Sequence, residues 1–177
     1  MDSKQTGNLR VYADASYKDG RIGLGLAIYA GQELVELVAS SEYGNSSFQA
    51  EAAAIKLAIE VTSRKYPGQK FQVLSDCQGC VDLCMSDDEH FNRRIEKLAD
   101  QRAAFAVMRI RIELLSNPGI HLQWIRGHNR NAGNDYADLA ANKGRSVKGT
   151  VSLYHSREGR TPPPNKKNSA FNYAAFA

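Results

Sequence analysis

LRVYADASYKDGRIGLGLAIYAGQELVELVASS, residues 9–41, decides the fold class. Residues 9–13 alternate apolar and polar side chains and stop at Asp14, where a turn-rich run leads to Gly20. Ile22–Tyr29 and Glu33–Ser41 read as two further strands, separated by Ala30-Gly31-Gln32. Short glycine-bearing turns between alternating runs predict a three-strand antiparallel meander. Gly23 and Gly25 interrupt the second strand, which weakens it locally or admits a second backbone.

Downstream the period changes. Ala54, Ile55, Ala58 and Val61 share one helical face while Lys56, Glu60 and Arg64 point away, predicting a helix over 47–64 that ends before Pro67-Gly68. A strand over 71–75 stops at Asp76, and a short helix follows to Met85. One long helix is expected over 90–116, a strand over 120–125, a polar loop to Gly133 and a last helix over 134–143. The order implies an α/β fold: a mixed five-stranded sheet, three antiparallel strands then two parallel, with helices on both faces.

The chain has 177 residues, 42% hydrophobic and 24% charged, which suits one domain. No apolar run approaches the roughly 18 residues of a membrane span. MDSKQTGN lacks the apolar core of a secretory leader. Three cysteines, an odd number, make a disulfide scaffold improbable and a cytoplasmic setting the expectation. The net charge of +4 sits in residues 146–177, where five bases face one acid; residues 1–145 are neutral overall. The expected division is a catalytic body, 1–145, and a basic, proline-containing tail, 146–177, that contacts nucleic acid or a protein partner.

Four acids stand out. Asp14 and Asp76 end predicted strands, the edge where ligands enter open sheets, although either suits a turn or a helix cap. Glu51 falls on the buried face of its helix, where an unpaired carboxylate costs several kcal/mol. It therefore protonates or meets a cation. Asp138 lies in the last helix, ten residues after His128.

With these acids in order on those elements, residues 9–144 resemble the type 1 ribonuclease H family. The resemblance rests on Asp14-Ala-Ser16, on Gln49-Ala-Glu51-Ala, on Ser75-Asp76-Cys-Gln78, and on Gly127-His128 followed by Gly133-Asn-Asp-Tyr-Ala-Asp138-Leu-Ala. It implies an endonuclease that cuts the RNA strand of RNA/DNA hybrids and leaves 5′-phosphate and 3′-hydroxyl ends. It further implies two Mg²⁺ ions, or Mn²⁺, held by Asp14, Glu51, Asp76 and Asp138. Carboxylate oxygens suit such hard cations, and two ions about 4 Å apart can activate water and stabilise the leaving oxygen. His128 is expected to assist proton transfer or product release. The Ala15 backbone, Ser16, Ser46, Ser47, Gln49 and Gln78 are expected to read the 2′-hydroxyl. A monomer without membrane attachment is expected.

Three departures concern affinity for substrate: Ala15 replaces a usual glycine, residues 85–117 lack a tryptophan-rich basic handle, and the tail has no counterpart. Arg93, Arg94, Lys97, Arg102, Arg109 and Arg111 face two acids along 93–111, either tracking phosphates or forming a solvated face. Cys77, Cys80 and Cys84 share a helix face and read as a buried thiol stripe rather than a zinc site. Two other readings stand beside this one. A resolvase- or exonuclease-like nuclease of the same fold is one, but Ser16 occupies the position where exonucleases carry a glutamate. A non-catalytic nucleic-acid-binding module is the other, and it would typically have lost a carboxylate.

Overall fold

The computed structural model describes residues 9–127, 131–159 and 161–164. The chain runs β1 (Leu9–Lys18), β2 (Arg21–Ala30), β3 (Glu33–Tyr43), α1 (Ser47–Lys65), β4 (Phe71–Ser75), α2 (Gln78–Met85), α3 (Asp88–Glu96), α4 (Gln101–Ser116), β5 (Ile120–Trp124), α5 (Ala132–Gly144) and β6 (Thr150–His155). The strands form one mixed sheet in the order β5-β4-β1-β2-β3-β6. β1, β2, β3 and β6 are antiparallel neighbours, while β4 and β5 run parallel to β1.

The expected α/β architecture stands, with six strands rather than five. β6 arises after Gly144, where sequence patterning fades, and pairs with Glu36–Ser40 of β3. Its side chains are mostly half-exposed, so the apolar alternation that betrays inner strands is weak. The single helix expected over 90–116 is two helices. Asp100 makes the break: its carboxylate accepts from the backbone N–H groups of Arg102 and Ala103 and caps α4.

β1 also runs past Asp14 to Lys18. Its pairing with β4 ends at Tyr12–Leu74, but its ladder with β2 continues to Lys18–Arg21. Asp14 therefore lies where β1 leaves β4 and remains paired to β2.

Two cores flank the sheet. Val11, Ala13, Ile55, Val73, Cys80 and Ile110 belong to the one under α1, α2 and α4. Tyr12, Leu37, Leu74, Ala137 and Ala140 belong to the one under α5. Cys80 and Cys84 are buried, in keeping with a thiol stripe.

Gly23 and Gly25 let α5 lie directly on β2. A Cβ at Gly25 would stand 2.0 Å from the Ala137 carbonyl oxygen, and one at Gly23 1.9 Å from that of Ala141. The close backbone approach allowed by those glycines is thus real, and it sets the height of the last helix over the sheet. Among the described residues, no helix is long and apolar enough to cross a membrane.

Candidate active site

Three chain segments bring carboxylates together at one edge of the sheet. Asp14 comes from β1, Asp76 directly follows β4, and Glu51 projects from the second turn of α1. Each offers an oxygen within 4.8 Å of the others, a grouping able to hold a metal ion. Asp14 is buried, and its Oδ1 accepts from the Ala15 backbone N–H at 2.8 Å.

Glu51 responds most strongly. Burial, then the neighbouring Asp14, Cys77 and Asp76, push its carboxyl up to about 9. Its Oε2 is buried and makes no hydrogen bond. The buried-face reading from sequence is therefore correct, and no side-chain cation accompanies Glu51 in an ion pair among the described residues. A hard divalent cation fits this grouping, because all three donors are oxygens.

Asp76 is held through both its backbone and its side chain. Its backbone carbonyl accepts from the Trp124 indole at 3.1 Å and from the Gln78 N–H at 3.0 Å. Its Oδ2 accepts from Asn134 Nδ2 at 3.2 Å, and a Cβ on Gly127 would come within 2.7 Å of that oxygen. The next residue, Cys77, neighbours the buried Cys80, whose Sγ donates to the Phe48 carbonyl oxygen at 3.9 Å. Interaction between the two thiols pulls Cys77 down to about 7 and, together with burial, pushes Cys80 up.

Asp138 stands outside the three-carboxylate group. It lies on α5 one turn after Asn134, and its Oδ1 accepts from Asn142 Nδ2 at 2.9 Å. Asn142 Oδ1 in turn accepts from the Ser16 hydroxyl at 3.1 Å. Asn134, Asp138 and Asn142 thus form one row, anchored at Asp76 and at Ser16. Asp14 is two residues before Ser16, so both side chains leave the same side of β1.

The other candidates divide. Ser16 is also bonded to Arg145. Ser47 and Gln78 are exposed, and Ala15 is half-buried. Ser46 caps α1 by accepting from the Gln49 N–H at 3.1 Å, and its hydroxyl donates to Asp100 Oδ2 at 3.0 Å. Gln49 is buried, with Oε1 accepting from the Asn45 N–H. His128 lies outside the described residues, as do Arg160, Lys166 and Lys167 of the tail.

Sequence reasoning gave no role to Asn134, Trp124 or Gly127. Asn134 had one usable signal: it sits four residues before Asp138 and hence on the same helical face.

The model of the RNase H family matches residues 6–146. The chain belongs to the RNase H family. It is accordingly a ribonuclease H enzyme, and divalent-metal dependence comes with the family. No curated protein sequence matches the chain.

Solved RNase H structures share its fold. RNase H1 of the halophilic archaeon Halobacterium salinarum NRC-1 is 16% identical with a TM-score of 0.55, covering 78% of this chain and 97% of its own. LC9-RNase H1, a type 1 RNase H with the type 2 active-site motif, is 20% identical with a TM-score of 0.63, covering 88% and 82%. The prototype foamy virus protease-reverse transcriptase is 19% identical with a TM-score of 0.64. That match covers 83% of this chain but 22% of the viral one. A further foamy viral protease-reverse transcriptase structure holds an RNA/DNA hybrid.

Proposed function

We propose that this RNase H hydrolyses the RNA strand of RNA/DNA hybrids with two Mg²⁺ ions, leaving 5′-phosphate and 3′-hydroxyl ends. The observation that carries this reading is the convergence of Asp14, Glu51 and Asp76, with Glu51 Oε2 buried and unsatisfied. Asp14 and Asp76 would serve as shared ligands, with Glu51 and Asp138 completing the set. When bound, the ions supply activation of the attacking water and stabilisation of the leaving 3′ oxygen.

The chain's own residues supply position. Asn134, Trp124 and Gly127 fix the Asp76 carboxylate and the backbone that bears it. Ser16, Ser47, Gln78 and the Ala15 backbone are available to the minor groove, where a 2′-hydroxyl both donates and accepts. Ser46 and Gln49 support that surface from beneath by capping and bracing α1. His128 would move a proton or help release product. Residues 1–145 form the catalytic body in this reading, and 146–177 an appended basic segment whose β6 joins the sheet.

The test is cleavage of labelled RNA/DNA hybrid, double-stranded RNA, single-stranded RNA and double-stranded DNA in Mg²⁺, with wild type and Asp14→Asn. Cleavage confined to the hybrid and lost by at least about a thousandfold in the variant is expected. Near-normal cleavage by Asp14→Asn would overturn the assignment.

A further inference from the structure

Cys77-Gln78-Gly79-Cys80 stands where β4 passes into α2, and the reaction proposed above uses neither thiol. Two cysteines separated by two residues at the start of a helix are a redox arrangement when their sulfurs can meet. Here they can. The Cys77 carbonyl accepts from the N–H groups of Cys80 and Val81, each at 3.1 Å, so the four residues form a closed first turn. Residues three apart on such a turn have Cα atoms about 5 Å apart, inside the roughly 4.4–6.8 Å that a disulfide spans. The two thiols already interact.

Exposure gives the pair an order. Cys77 is half-buried, whereas Cys80 and Cys84 are 0% and 3% exposed. An oxidant from solvent therefore meets Cys77, and Cys80 lies behind it as the partner thiol. Cys84 is seven residues from Cys77, about 10 Å along the helix, which is beyond disulfide reach. Zinc is the other common use of clustered thiols, but it needs four ligands. Among the described residues, the side chains grouped to hold a metal are carboxylates without a cysteine.

We propose that Cys77 and Cys80 form a reversible disulfide when the protein meets a peroxide, and that its closure displaces the backbone bearing Asp76.

The Cys77 sulfur attacks one peroxide oxygen and the O–O bond breaks. The Cys77 proton leaves with the departing hydroxide as water, and a sulfenic acid remains. The Cys80 sulfur then attacks the Cys77 sulfur. An S–S bond forms, the S–O bond breaks, and the Cys80 proton leaves with the hydroxyl as a second water. Two thiols are oxidised to one disulfide while one peroxide is reduced. A dithiol reverses the change by thiol–disulfide exchange.

Closure acts on two carboxylate-bearing segments. Sulfurs in van der Waals contact must approach to about 2 Å, so at least one of them moves. Asp76 is joined directly to Cys77, and its carbonyl holds the Gln78 N–H at 3.0 Å and the Trp124 indole at 3.1 Å. Cys80 gives up its proton, and with it the bond to the Phe48 carbonyl, three residues before Glu51 on α1. Displacing a reacting group by about 1 Å can cost a hundredfold in rate. Oxidation should therefore slow hybrid cleavage, a consequence that rests on the function proposed above.

The test treats the full chain with equimolar hydrogen peroxide in chelator at neutral pH. Two measurements need no activity. The intact mass should fall by two hydrogens, and alkylation after denaturation should label Cys84 alone, located by peptide fragmentation, where the reduced protein takes up three labels. Emission from Trp124, the only tryptophan, should change as the disulfide forms and return with dithiothreitol. Cys77→Ser and Cys80→Ala should each abolish both changes. Cleavage by oxidised wild type should fall at least about tenfold and recover with dithiothreitol.

Three labels after peroxide, oxygen added at Cys77 without a disulfide, or a disulfide that includes Cys84 would overturn the proposal. So would a Cys77–Cys80 disulfide that leaves Trp124 emission unchanged. Reduced protein that cuts no hybrid would instead overturn the function proposed above, and mass and emission would still decide this one.

Discussion

Asn134 on α5 donates to Oδ2 of Asp76 at 3.2 Å, joining the last helix to the end of β4 across 58 residues of sequence. The oxygen of this amide, Oδ1, is buried without a hydrogen-bond partner, so the side chain is spent on Asp76. Hydrogen bonds to a charged group contribute about 1.5–3 kcal/mol. Asn134→Ala should therefore lower hybrid cleavage roughly 10- to 100-fold through kcat. KM should change little and the circular dichroism spectrum should match wild type. Full activity in the variant would show that Asp76 needs no such support.

Glu51 gives a pH dependence of stability. Its carboxyl titrates near 9 in the folded chain against 4.5 ordinarily, so between those values the folded state holds a proton that the unfolded state has released. Stability contributed at this site is complete below pH 4.5 and is lost as the pH rises toward 9. In chelator, Glu51→Gln should equal wild type near pH 4 and exceed it progressively above, by on the order of 2 kcal/mol at pH 7. Parallel melting curves of the two proteins from pH 4 to 9 check this.

Gly25 bears the weight of α5. A methyl there would meet the Ala137 carbonyl oxygen at 2.0 Å and the Ala141 nitrogen at 2.3 Å, both backbone atoms of a helix interior. Gly25→Ala should destabilise by about 3 kcal/mol, read from urea midpoints. It should also impair cleavage, because α5 carries Asn134 and Asp138.

The fully buried Glu36 of β3 is matched by Lys65 at the end of α1, with one Glu36 oxygen left unbonded. Breaking such a pair leaves a buried charge, so Lys65→Met should cost about 3 kcal/mol. Adding Glu36→Met should restore most of that loss. Thermal melts of the two single variants and the double variant close the cycle.

The acidic constellation was legible because each member sits on an element with a local signature. Alternation placed Asp14 and Asp76 at the sheet, and the 3.6-residue period put Glu51 on a buried face. Local signals were silent where partners are remote. Trp124 reaches the Asp76 carbonyl and Asn134 its carboxylate through contacts that no window of sequence contains. The extent of β1 was misjudged for a related reason: a turn-like sequence after Asp14 is kept extended by pairing with β2. The break before α4 depends on one capping carboxylate, Asp100, inside an otherwise helical pattern.

β6 has a practical consequence. The family match ends at residue 146, and the strand begins at Thr150. A polypeptide trimmed to the matched region would strip the neighbour from Glu36–Ser40 and bare a row of amide and carbonyl groups beside Leu37, Val38 and Ala39. Such rims recruit strands from other molecules. Poor solubility in a shortened version would then report a missing guard rail rather than a faulty catalytic body.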